Sequence, residues 1–254
     1  MSPGTAFSFD GAAEIVAHRG FSARAPENTI AALELAIDTL ADAVEFDLHT
    51  ASDGTPVLLH DVTVDRTTSG TGAVASLSVD ALSRLDAGSW FDTSFAGEPV
   101  PTLSAALEAV GGRIDRIYAE VKGTRRPEDV RAVVDAVRSA GLEERVVYIS
   151  MDWSALDRIR AYDGRALIGY IVEERSRAAG ALERASSDAR ALLDFDARIL
   201  LSDPTLAERA GAVDIALATW TVDTADAASR LLAMGVPRIT TNRVDTLRAW
   251  KESL

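Results

Sequence analysis

The chain has 254 residues, a net charge of −13, 47% hydrophobic and 26% charged residues, and no cysteine. That length suits one α/β barrel or two smaller domains, and the lack of cysteine excludes disulfide frameworks, zinc–thiolate centres and thiol nucleophiles. The negative charge argues against nucleic acid or an anionic membrane surface as partner, since no local basic patch offsets it.

No apolar run approaches the ~20 residues needed to cross a bilayer, so no stable membrane insertion is expected. Residues 1–10 carry no Lys or Arg and no apolar stretch before a small-residue cleavage site, so a cytoplasmic protein is expected. No internal repeat divides the chain, and residues 1–254 are read as a single domain.

In chain order, strand-like runs occur at 15–18, 43–48, 117–122, 146–150, 167–171, 199–201, 215–220 and 238–241. Amphipathic stretches separate them, among them 28–40, 127–140 before Gly141, and 223–234 before Gly235. Eight strands with helical crossovers predict a (β/α)₈ barrel whose functional face lies at the strands' C-terminal ends.

A ninth run, 56–60, follows residues 48–52 across Asp53-Gly54. A two-residue Asp-Gly link marks a hairpin, so this run is read as an antiparallel arm that returns His60 to the rim beside Asp47. Residues 62–100, rich in Thr, Ser, Gly and Asp, form a long insertion, expected to be a small cap above the same face.

Four clusters carry chemistry. His18-Arg19 ends the first strand and pairs a proton carrier with a planar fork for phosphate oxygens. Glu45-Phe46-Asp47 places two carboxylates on one strand face, inside a barrel or on an exposed edge depending on the fold. In Glu120-Val121-Lys122 an acid and a base share a face, as a simple ion pair or as an oxygen ligand beside a phosphate-directed cation. His60-Asp61 ends the arm, and two histidines at one rim suit general acid–base work. His49, third of the three histidines, is read as a pocket wall.

The segments AHRGFSARAPENT, VEFDLHTASDGTPVLLHD, YAEVKG, ATWTVD and ITTNRVDTL, with the block from Val64 to Leu103, resemble the glycerophosphodiester phosphodiesterase family from Ile15 almost to the C-terminus. The resemblance implies a barrel and a divalent cation, Mg²⁺ or Ca²⁺, and hydrolysis of a small glycerophosphodiester to glycerol 3-phosphate and an alcohol. It implies that His18 and His60 are the acid/base pair, that Glu45, Asp47 and Glu120 hold the cation, that Arg19 and Lys122 bind phosphate, and that Trp220 lines the glycerol side. The alternatives are a lysophospholipase D-like phosphodiesterase, with Trp90-Phe91 at an apolar groove, and a non-catalytic phosphate-binding barrel. The oligomeric state is left open.

Overall fold

The computed structural model describes residues 6–7 and 12–254, so most of the leader expectation for residues 1–10 lies outside the described residues. The strands are β1 (Glu14–Ala17), β2 (Ala43–Thr50), β3 (Pro56–Leu58), β4 (Arg116–Gly123), β5 (Val146–Ser150), β6 (Leu167–Val172), β7 (Ala191–Asp196), β8 (Ala216–Trp220) and β9 (Arg238–Thr241). Among the described residues all but β3 pair in parallel, and pairing of β1 with both β9 and β2 closes them into an eight-stranded barrel.

The helices are α1 (Ile30–Asp38), α2 (Val79–Leu82), α3 (Leu103–Val110), α4 (Val130–Ser139), α5 (Trp153–Tyr162), α6 (Ala178–Ala185), α7 (Ala197–Ser202), α8 (Thr205–Gly211), α9 (Ala225–Ala233) and α10 (Val244–Glu252). They pack on the outward strand residues. Val44, Phe46 and Leu48 of β2, and Leu193 and Phe195 of β7, join that outer core. Truncating a fully buried ring such as Phe46 to alanine costs about 3–5 kcal/mol. The inward set, including Val147, Ile149, Ile171 and Leu192, fills the barrel.

One expected strand is misplaced. Residues 199–201 are helical, within α7, and the strand is β7 just before them. A short apolar run such as Ile-Leu-Leu does not distinguish strand from helix. The boundary is set by Asp196, whose side chain accepts a hydrogen bond from the Arg198 backbone N–H and caps α7. Likewise α1 starts later than position 28, because Asn28 is left-handed at φ +58° and the Thr29 hydroxyl caps the helix.

β3 pairs antiparallel with β2, as Leu48 with Leu58, His49 with Val57 and Thr50 with Pro56. The turn is one residue longer than the expected two. Ala51 N–H donates to Thr55 O, leaving Ser52, Asp53 and Gly54 between them, with Gly54 at φ +89°. Residues 62–100 carry α2 and two short 3₁₀ turns, built around a separate apolar cluster of Val57, Leu59, Val64, Val74, Leu82 and Val100.

Candidate active site

The strand pleat delivers the predicted residues to one rim. His18 and Arg19 directly follow β1, Glu45 and Asp47 are inward on β2, Glu120 and Lys122 end β4, and Trp220 ends β8. His60 lies two residues beyond β3 and is brought in by Leu59 N–H donating to Asp47 O at 3.1 Å. All except Asp47 line one cavity, shared with Ile149, Met151, Ile171, Asp194 and Thr240. Asp47 sits behind this lining, fully buried. Two larger, more open hollows lie between outer helices and hold none of the predicted site residues.

The turn after β1 is built for close approach. Arg19 (φ +56°) and Gly20 (φ +76°) are both left-handed. A Cβ on Gly20 would stand 2.5 Å from the Ala32 carbonyl carbon, so only glycine fits. The Arg19 backbone N–H thereby donates to Glu45 Oε2 at 2.8 Å.

Glu45, Asp47 and Glu120 present carboxylate oxygens that all lie within 4.8 Å of one another. Burial and the charges of Asp47 and Glu120 raise the Glu45 carboxyl well above the usual range. Burial and the Asp47 charge push Glu120 up to about 7. Asp47 moves the other way, because Arg19 and Lys122 outweigh its burial. Arg19 Nε lies 3.1 Å from Asp47 Oδ2, and Lys122 Nζ lies 3.1 Å from Glu120 Oε1 and 3.9 Å from Asp47 Oδ1. Glu45 Oε1 and Asp47 Oδ1 are buried without a hydrogen-bond partner. Buried carboxylate oxygens seldom stay unpaired, and three that converge fit a cation.

The histidines are oriented from behind. Asn242 Nδ2 donates to Asp223 Oδ2 at 3.0 Å, so Asn242 Oδ1 must accept, and His18 Nδ1–H donates to it at 2.7 Å. The other ring nitrogen, Nε2, then carries the lone pair. Burial, with the Arg19 charge, lowers His18 to about 4, so the ring is neutral at pH 7. His60 Nδ1 lies 2.7 Å from Asp61 Oδ1. Arg66 reaches down from the insertion, its guanidinium donating to Asp61 Oδ2 at 2.7 Å and to Glu27 Oε1 at 2.8 Å. Glu27 Oε1 in turn receives Arg19 Nη1 at 2.8 Å.

Sequence reasoning missed Glu27, Asn28, Arg66, Asp194 and Asn242 as parts of this site. Asn28 donates to Asp47 Oδ2 at 2.8 Å and accepts the Asp47 backbone N–H at 3.0 Å. The sequence signal for Glu27 and Asn28 was the short Pro-Glu-Asn-Thr run read as a helix start. Asp194 went unseen because its strand was misplaced. His49 is not a cavity wall. Its Nε2 lies 3.1 Å from the His60 carbonyl oxygen, tying the end of the arm to β2. Among the described residues no member of 62–100 lines the cavity, and Arg66 makes the insertion's contact with the site.

The model of the Glycerophosphoryl diester phosphodiesterase family matches residues 18–246. The chain is 33% identical over 239 residues to the glycerophosphodiester phosphodiesterase of Caldanaerobacter subterraneus subsp. tengcongensis, covering 92% of this chain and 95% of that one. Its fold is similar to a phosphodiesterase from Oleispira antarctica in complex with the product sn-glycerol-3-phosphate, with TM-score 0.87 and 25% identity over 94% of this chain and 96% of the other. It is also similar to the glycerophosphodiester phosphodiesterase of Agrobacterium tumefaciens, with TM-score 0.80 and 28% identity over 93% and 99% of the two chains.

Proposed function

The chain belongs to the glycerophosphoryl diester phosphodiesterase family, and from that premise we propose that it hydrolyses glycerophosphodiesters to glycerol 3-phosphate and an alcohol with the residues gathered at this rim. The observation that carries the reading is the buried, converging trio Glu45, Asp47 and Glu120, flanked in one cavity by two histidines and two cationic side chains.

Glu45, Asp47 and Glu120 would hold the divalent cation, and an all-oxygen donor set favours Mg²⁺ or Ca²⁺. When bound, it supplies positive charge against the negative charge that grows on the nonbridging phosphate oxygens. Arg19 and Lys122 add fixed donors for the same oxygens. His18, neutral and held through Nδ1, takes the proton of the attacking hydroxyl at Nε2. His60, held from behind by Asp61, gives a proton to the leaving alkoxide. Trp220 lines the glycerol side.

We further propose that the chain works as one barrel unit, with residues 62–100 as a cap tied to the site through Arg66, and that it acts in the cytoplasm. Among the described residues no helix is long and apolar enough to cross a membrane.

The lysophospholipid reading needs an apolar groove at the cavity mouth. Trp90 instead packs edge-on to Phe91 and its indole N–H donates to Ala87 O, and neither ring lines the cavity. Assay of glycerophosphoethanolamine beside a lysophospholipid tests the choice. Release of glycerol 3-phosphate from the first is expected; turnover of the lysolipid alone would reverse the assignment.

A further inference from the structure

The acid–base chemistry uses only one half of the cavity. The other half is walled by Ile149 and Ile171, which are buried, with Met151 and Trp220 partly so, and into this wall β7 places one carboxyl group, Asp194. The pleat requires this placement, since Leu193 and Phe195 pack outward while Leu192 and Asp194 point into the barrel. Asp194 is only 3% exposed, and its Oδ1 has no hydrogen-bond partner. Among the described residues no Lys, Arg or His forms an ion pair with it, and it stands outside the carboxylate trio. The Trp220 indole N–H lines the same wall and is likewise buried without a partner.

Buried polar groups are normally satisfied, so two unsatisfied groups facing one cavity call for a ligand that pairs with both. An anionic ligand is disfavoured, because this wall offers no Lys, Arg or His to neutralise it. A second cation is disfavoured too, because among the described residues Asp194 belongs to no group of three converging ligand side chains. Burial pushes the Asp194 carboxyl well above its usual range, and the neutral acid offers one O–H donor and a carbonyl acceptor. That set, with an indole N–H, complements neutral alcohol hydroxyls.

We propose that Asp194 is a specificity-determining residue that, with the Trp220 N–H, hydrogen-bonds the hydroxyls of the glycerol half of the diester. The proposal rests on the phosphodiesterase reading above and deepens it. A wall closed by isoleucines suits the half of the substrate that is constant, whereas the departing alcohol needs the open side. A site built to pair with a hydroxyl rejects the analogue that lacks it far more strongly than an apolar pocket rejects an extra one.

The test compares two nitrophenyl diesters, one of glycerol 3-phosphate and one of propane-1,2-diol 1-phosphate. The second lacks only the terminal hydroxyl and keeps the one next to the phosphate-bearing carbon. The wild-type protein should prefer the glycerol diester by roughly 10²-fold or more in kcat/KM. Asp194→Leu should lose most of its rate on the glycerol diester and much less on the other, collapsing the preference toward unity. Asp194→Asn, which keeps a donor and an acceptor, should retain most of it. Trp220→Phe should lower it in part, and gives an independent reading should Asp194→Leu fail to fold. A wild-type protein that hydrolyses both diesters without preference overturns the proposal, as does a preference unmoved in both Asp194→Leu and Trp220→Phe. Hydrolysis of neither diester would instead count against the underlying phosphodiesterase reading.

Discussion

His18 and Asn242 stand 224 residues apart in sequence and share a 2.7 Å hydrogen bond across the seam where the barrel closes. Because Asp223 fixes the Asn242 amide, the contact also fixes which nitrogen of His18 is free to take a proton. Asn242→Leu, which keeps the volume and removes the acceptor, should lower kcat/KM by roughly 10- to 100-fold, the usual cost of losing an orienting partner. Cation binding, measured by titration calorimetry, should be unchanged. Wild-type kinetics in this variant would remove His18 from the role of base.

His60 is tested through the leaving group. His60→Ala should cost roughly 10² to 10⁴ in rate with an alkyl diester, the range that general acid catalysis supplies. It should cost far less with a nitrophenyl ester, whose leaving group needs no proton. His18→Ala should damage both reactions. The reverse pattern would mean that the two histidines exchange roles.

Arg66 links the two halves of the machinery, since one guanidinium binds Asp61 behind His60 and Glu27 behind Arg19. Arg66→Ala should therefore lower kcat/KM by roughly 10- to 100-fold while the barrel stays folded. Arg66→Lys should rescue little, because a point charge lacks the planar fork that spans two carboxylates. In a double-mutant cycle, Arg66→Ala and Asp61→Asn should be clearly non-additive. Additive losses would mean that Arg66 supports the fold alone.

The barrel and most of the rim were legible because both rest on local rules. Period-two alternation put Glu45 with Asp47 and Glu120 with Lys122, and the Asp-Gly turn returned His60 to Asp47. What was illegible depends on long-range pairing. Asn242 meets His18 only once β9 has closed on β1, and Arg66 reaches the site from an insertion whose path no periodicity reveals. Asp194 was lost to a boundary, since the sequence Leu-Leu-Asp-Phe-Asp does not announce that Asp196 is a helix cap and Asp194 an inward strand residue.

Proton linkage gives a further expectation. Without a cation, Glu45 and Glu120 bind protons more tightly folded than unfolded, Glu120 up to about 7. At these two carboxyls the folded state then holds more protons than the unfolded chain up to about pH 7, a contribution that is lost as pH rises, whereas His18, lowered to about 4, acts in the opposite sense below about pH 6.5. A bound cation needs the same carboxylates ionised, so its stabilisation grows as pH rises. Thermal melts in EDTA should show Tm dropping from about pH 6.5 to pH 8, above the range in which His18 opposes the carboxyls, while the gain in Tm on adding Mg²⁺ or Ca²⁺ increases. A cation-induced gain that shrinks with rising pH would place the cation elsewhere.

The central claim is that the buried trio Glu45, Asp47 and Glu120 holds a cation on which hydrolysis depends. Its most direct test is to chelate the protein, titrate Mg²⁺ or Ca²⁺ back, and follow bound metal and diester hydrolysis in the same samples. Activity should vanish on chelation and return in proportion to one bound cation per chain, and Asp47→Asn should resemble the chelated protein while remaining folded. Full activity in excess EDTA, with no metal retained by elemental analysis, would contradict the account.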